Sequence, residues 1–139
     1  MNVLVIDDSL SACRSVGRIL MDEATTICCL NGQEWVDYYT RSKPDIILLD
    51  IVMPGINGID VLKQIREIDK DIPVVMVSAI DTSDKIMDCI KLGANGYVAK
   101  PISADRIIKS VQTARRINAI KNLNVGMAAA LAKLQEGVI

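Results

Sequence analysis

The sequence predicts an α/β fold, a doubly wound five-stranded parallel sheet with helices on both faces. Three observations carry that expectation. Short apolar runs recur five times along the chain. They are continuous rather than alternating, as in strands covered on both sides. A segment of helical periodicity follows each one.

The first strand is predicted over residues 3–6, and a helix over 11–21 follows with Cys13, Val16, Ile19 and Leu20 at helical spacing. The second strand covers 26–30, and the helix over 32–41 carries Trp35, Val36 and Tyr39. The third, 46–49, leads into a helix over 59–68 bearing Val61, Leu62, Ile65 and Ile68. Pro73 ends that helical pattern before the fourth strand, 74–77. A helix over 83–92 offers Ile86, Cys89 and Ile90, with Gly93 as its stop signal. The fifth strand, 96–99, precedes a helix over 104–120 with Ile107, Ile108, Val111, Ala114 and Ile117. Residues 1–120 then form one domain. Residues 121–139 are a partly helical extension that Gly126 separates from the fifth helix, with Met127, Leu131 and Leu134 on one face.

A chain of 139 residues is long enough for one sizeable core. Phe is absent and Trp35, Tyr38, Tyr39 and Tyr97 are the only aromatics, so that core must be aliphatic. The formal charge of −1 argues against nucleic acid or anionic lipid as a partner. Arg115, Arg116 and Lys121 form a small basic spot that reads as a solvated helix face. Cys13, Cys28, Cys29 and Cys89 lack metal-ligand spacing and there is no His, so they read as reduced, packing thiols. Adjacent in a strand, Cys28 and Cys29 should point to opposite faces. The first apolar run is too short for a signal peptide and none approaches bilayer length, so a cytoplasmic location is expected.

In open parallel sheets the site lies beyond the carboxyl ends of the strands. Asp7 and Asp8 follow the first strand, Asp50 the third, Ser78 and Ala79 the fourth, and Lys100 and Pro101 the fifth; the second contributes none of this chemistry. Three carboxylates in one crevice repel one another, and a hard divalent cation, Mg²⁺ or Mn²⁺, resolves the conflict. Lys100 adds a compact, phosphate-seeking charge, and Ser78 a hydroxyl donor. Each residue alone has a blander reading: Asp7 or Asp8 as a helix N-cap, Asp50 as the start of a turn, Lys100 as a solvated side chain, Tyr97 as half-buried core. Their coincidence on one rim favours a phosphate-handling metal site.

With "VLVIDDS", "DIILLDIVMPGINGIDVL", "VVMVSA" and "GANGYVAKPI" in order, the sequence resembles the response-regulator receiver domain of two-component signalling. The match, to the single-domain type of the chemotaxis regulators, spans roughly residues 1–120. The resemblance implies a flavodoxin-like sheet of order 2-1-3-4-5 with five flanking helices. It implies that Asp50 takes a phosphoryl group from a kinase phosphohistidine. Asp7, Asp8, Asp50 and the backbone carbonyl of Val52 would hold Mg²⁺, with Asp7 acting through water. Lys100 would pair with a phosphoryl oxygen, Ser78 and Tyr97 would form a switch pair, and the Lys100–Pro101 peptide would be cis. Such a module is not an enzyme with a separate substrate; it catalyses only its own phosphorylation and slow autodephosphorylation. The apolar Val52 and Ile80 flank the phosphoryl group in this family and imply slow self-hydrolysis.

The partners implied are a sensor histidine kinase or phosphotransfer protein and a downstream protein at the face of the fourth helix, fifth strand and fifth helix. A phosphorylation-dependent homodimer is left open. Other readings are a phosphorylation-independent interaction module of the same fold, or a receiver excised from a longer regulator with a separate output domain. A haloacid-dehalogenase-like phosphatase would need an aspartate where Val52 stands. An FMN carrier would need a Ser/Thr- and Gly-rich loop in place of Asp7-Asp8.

Overall fold

The computed structural model describes residues 1–80 and 82–136. Strands β1 (Asn2–Ile6), β2 (Thr25–Cys29), β3 (Ile46–Leu49), β4 (Val74–Ser78) and β5 (Gly96–Ala99) form one sheet in the order β2-β1-β3-β4-β5. Every pairing is parallel. Helices α1 (Leu10–Ile19), α2 (Trp35–Ser42), α3 (Gly58–Ile68), α4 (Ser83–Lys91) and α5 (Ala104–Glu136) alternate with the strands, and a 3₁₀ turn, Gly32–Glu34, leads into α2. The architecture is the one the apolar pattern predicts.

The period-2 geometry of a strand divides each run between two cores. Val3, Val5, Ile46, Leu48, Val75 and Val77 pack with Cys13 and Val16 of α1 and with Ile107, Val111 and Ala114 of α5. Leu4, Ile6, Ile47, Leu49, Val74 and Met76 pack with Trp35, Val61, Leu62, Ile65 and Cys89 on the other side. Burying each such aliphatic side chain contributes roughly 1.5–3 kcal/mol, and the three central strands are almost wholly buried. Cys29 belongs to one core and Cys28 packs against the other, as adjacent strand positions require. All four cysteines are free.

Several expectations shift. Val36 and Ile90, assigned to apolar helix faces, are exposed, because α2 and α4 turn only Trp35 and Cys89 fully into the core. Gly93 does end the α4 segment, with φ of 102°. Gly126 does not end α5: the helix runs unbroken to Glu136, so residues 121–136 of the extension are helical, and residues 137–139 lie outside those described. A helix stop of the glycine type needs a left-handed residue, and Gly126 is not among those with positive φ. The strong helix formers from Met127 to Ala132 outweigh a glycine cost of about 1 kcal/mol. The side chain of Leu134 lies outside the described residues. Of the basic spot, Arg115 donates to the Glu23 carbonyl and Arg116 is exposed. No helix among the described residues is long and apolar enough to cross a membrane.

Candidate functional site

The strand ends converge on one cluster of polar side chains. The β1 ladder continues one residue past the strand, where the Asp7 N–H donates to the Cys29 carbonyl at 3.1 Å. On the neighbouring strand the Asp50 N–H donates to the Ile6 carbonyl at 2.9 Å. These rungs fix the backbones of both aspartates next to each other. Ser9, not Asp7 or Asp8, caps α1: its side chain accepts from the Ala12 N–H at 3.2 Å. The α1 cap therefore leaves both carboxylates available, and the N-cap reading of them does not hold.

Asp7 is 3 % exposed, Asp50 6 % and Ser78 0 %, and they are the buried polar residues among those described. Carboxylate oxygens of Asp7, Asp8 and Asp50 lie within 4.8 Å of one another. Lys100 Nζ reaches across from the end of β5 and donates to Asp7 Oδ2 at 2.8 Å and to Asp50 Oδ2 at 3.1 Å. The Lys100 N–H donates to the Ser78 carbonyl at 2.9 Å, and the Lys100–Pro101 peptide is cis. One ammonium thus faces three carboxylates, and the cluster retains negative charge.

The titration behaviour follows from this crowding. Burial pushes the Asp7 carboxyl above its ordinary value; Lys100 and the Ser9 N–H pull it back only in part, and the Asp50 charge adds to the rise. Burial works against the Lys100 ammonium, but hydrogen bonds and charge from Asp7 and Asp50 outweigh it and raise its pKa. Further positive charge beside Asp7 would favour its ionised form.

Ser78 closes β4, and its Oγ accepts a long, 3.4 Å contact from the Ile80 N–H. Tyr97 is half-buried, packs against the core that holds Trp35, and donates its hydroxyl to the Ser78 carbonyl at 3.3 Å. Val52 stands 60 % exposed at the rim, and Ile80 is half-buried. Two residues that sequence reasoning passed over shape the site. Asn57 caps α3 by accepting from the Ile59 N–H at 2.7 Å. Gly58 brings α3 against β3, donating to the Ile51 carbonyl at 2.7 Å. The signal was present in "NGID", an N-cap residue and a glycine ahead of a helical run.

A doubly wound sheet with a buried aspartate at its third strand end, an acidic pair at its first and a lysine at its fifth is the arrangement that the receiver resemblance implies. The profile of the response regulator receiver domain matches residues 3–112, and the chain belongs to that family. It is 33 % identical over 118 residues to the chemotaxis protein CheY of Listeria monocytogenes, covering 84 % of this chain and 99 % of that one. It is 34 % identical over 116 residues to sporulation initiation phosphotransferase F of Bacillus subtilis, covering 79 % and 90 %. Among solved structures, the signal receiver domain of a Vibrio parahaemolyticus protein superposes with a TM-score of 0.82 at 30 % identity, covering 88 % and 95 %.

Proposed function

We propose that this receiver accepts a phosphoryl group on Asp50 from the phosphohistidine of a sensor histidine kinase or phosphotransfer protein, and that the modification reshapes a protein-binding surface. The observation that supports it is the placement of Lys100, bridging Asp7 and Asp50 beside Asp8 at the carboxyl ends of β1, β3 and β5. An Asp50 oxygen attacks phosphorus, the P–N bond breaks, and the imidazole leaves with the electron pair and takes up a proton. Lys100 occupies Oδ2, while Oδ1 has only a 3.4 Å contact from the Val52 N–H, so Oδ1 is the more open nucleophile. As charge builds on the phosphoryl oxygens, Lys100 can exchange its Asp50 contact for one of them.

The donor set fits Mg²⁺ or Mn²⁺: three clustered carboxylates, two of them buried, are hard oxygen ligands. Asp8, Asp50 and the Val52 carbonyl would hold the ion directly, and Asp7 through water. When bound, such an ion supplies charge neutralisation at the transferring group. Ser78 would then donate its hydroxyl to the phosphoryl group. Its movement would shift the surroundings of Tyr97, whose hydroxyl bonds the Ser78 carbonyl, and so alter the face formed by α4, β5 and α5. The chain catalyses only its own phosphorylation and slow dephosphorylation. Residues 1–120 are the receiver unit and 121–139 its extension. Four free cysteines suit a reducing compartment, and the cytoplasm is the proposed location.

Intact mass after incubation with acetyl phosphate tests the reading. One phosphoryl group should be gained with Mg²⁺, and none in its absence or in Asp50→Asn. If neither acetyl phosphate nor a phosphorylated kinase domain adds mass, the chain is a phosphorylation-independent interaction module instead.

A further inference from the structure

Helix α5 does two different things along its length. From Ile107 to Ala114 it is part of the core, and the Asn118 side chain still donates to the Asp45 carbonyl at 3.2 Å. From Ala119 to Lys133, every side chain described is exposed. The distal part as a whole, residues 119–136, is long, about 27 Å for eighteen residues at 1.5 Å each. It is also unusually apolar for a helix in water. Of residues 119–136, eleven are Ala, Ile, Leu, Val or Met, and Lys121, Lys133 and Glu136 are the only charges. A helix of this length without tertiary packing is marginal, and one so poor in charge belongs against another surface.

The pattern indicates which surface. Ile120, Leu123, Met127 and Ala130 are spaced 3-4-3, the seam of a two-helix coiled coil, with Leu131 beside it. Ile120, Leu123, Met127 and Leu131 are 59 %, 63 %, 57 % and 58 % exposed. None of the three charged residues falls on the seam, and Gly126 beside it has open space where a Cβ would stand. Two copies of this helix can therefore approach closely without like-charge repulsion. An acidic, basic or nucleic-acid partner would find almost no charge to recognise. A membrane-surface helix would carry a strongly basic polar face, which this segment lacks.

We propose that the distal part of α5 pairs with the same segment of a second copy, making this receiver a helix-linked homodimer before any phosphorylation. The α4–β5–α5 face stays free, because the seam begins at Ile120, past Asn118 and its bond to the Asp45 carbonyl.

Sedimentation of the full, unphosphorylated chain from about 1 to about 100 µM tests this, the range in which a short coiled coil associates. The expected mass is twice the 15.2 kDa of the chain at the upper end. Leu123→Glu with Met127→Glu should return it to the single-chain mass, a loss of at least tenfold in affinity. Ala129→Glu with Ala132→Glu, which lie off the seam, should leave the dimer intact. Near-ultraviolet circular dichroism should show the receiver core unchanged in both variants. A wild-type chain that stays monomeric throughout overturns the proposal, including one that instead binds lipid vesicles. So does a seam variant that still dimerises, which would place the contact elsewhere, or an off-seam pair that dissociates equally. Because the measurement uses no phosphoryl donor, failure of Asp50 to accept phosphate would leave its outcome readable.

Discussion

Gly58 joins the fold to the phosphorylation site, and replacing it with alanine should damage both. A Cβ at this position would lie 1.9 Å from the Asp50 carbonyl oxygen and 2.7 Å from both the Asp50 carbonyl carbon and Ile51 Cα. These are backbone atoms of the loop that follows β3, so no side chain can rotate aside. Restoring ordinary contact near 3.5 Å requires α3 and the end of β3 to separate by roughly 1.5 Å. That movement breaks the 2.7 Å bond from the Gly58 N–H to the Ile51 carbonyl. Overpacking costs about 1–3 kcal/mol, the lost buried hydrogen bond about 1–3 kcal/mol, and alanine returns about 1 kcal/mol of helix propensity. The net is about 3 kcal/mol, or roughly 10 °C in Tm for a domain of this size. Gly17 is the control, since nothing lies within 4 Å of a Cβ there and it sits inside α1. Gly17→Ala should stabilise by roughly 0.5–1 kcal/mol. Urea unfolding followed by circular dichroism measures both, and the rate of acetyl-phosphate uptake reports displacement of Asp50. A Gly58→Ala variant as stable and as readily phosphorylated as wild type would refute the close-approach argument.

Asp7→Asn should stabilise the metal-free protein at pH 7. Burial raises the Asp7 pKa, so its ionisation weakens the folded state above the unfolded value near 3.8; the gain should be visible at pH 7 and vanish well below that value, as thermal melts at both pH values would show. On the other side of the sheet Tyr39 donates to Asp69 at 2.7 Å. Burial opposes the Asp69 charge, but bonds from Tyr39 and from the Asp71 and Ile72 N–H groups, with the Arg66 charge, hold its pKa below the usual carboxylate value. The Tyr39 hydroxyl is pushed up to about 12 by burial and by Asp69. Tyr39→Phe should therefore lower stability at pH 7, and its deficit should shrink as acid protonates Asp69 below pH 3.8 or as base ionises Tyr39 between pH 10 and about 12. A deficit constant across that whole range would count against the pair. Val52→Asn should speed loss of phosphate: one hydrogen bond of about 1 kcal/mol to the attacking water corresponds to about fivefold. An unchanged half-life, followed by intact mass, would remove Val52 from that role.

The periodicity of apolar residues was enough to predict five parallel strands, helices on both faces and the rim on which Asp7, Asp8, Asp50, Ser78 and Lys100 stand. Those features are local: which face a strand residue occupies depends on its parity, and which end of a parallel strand faces the site depends on chain direction. What a side chain does once there is not local. Lys100 is engaged by Asp7 and Asp50, partners 93 and 50 residues away, and no spacing rule encodes that. Gly58, one residue ahead of the helix predicted over 59–68, shows its role only where α3 is set against Asp50. Gly126 looked like a stop, yet a glycine ends a helix only where the chain beyond it gains more by turning away. Beyond Gly126 the alanine-rich segment gains most by staying helical, and only the assembled domain shows how much of that helix it leaves uncovered.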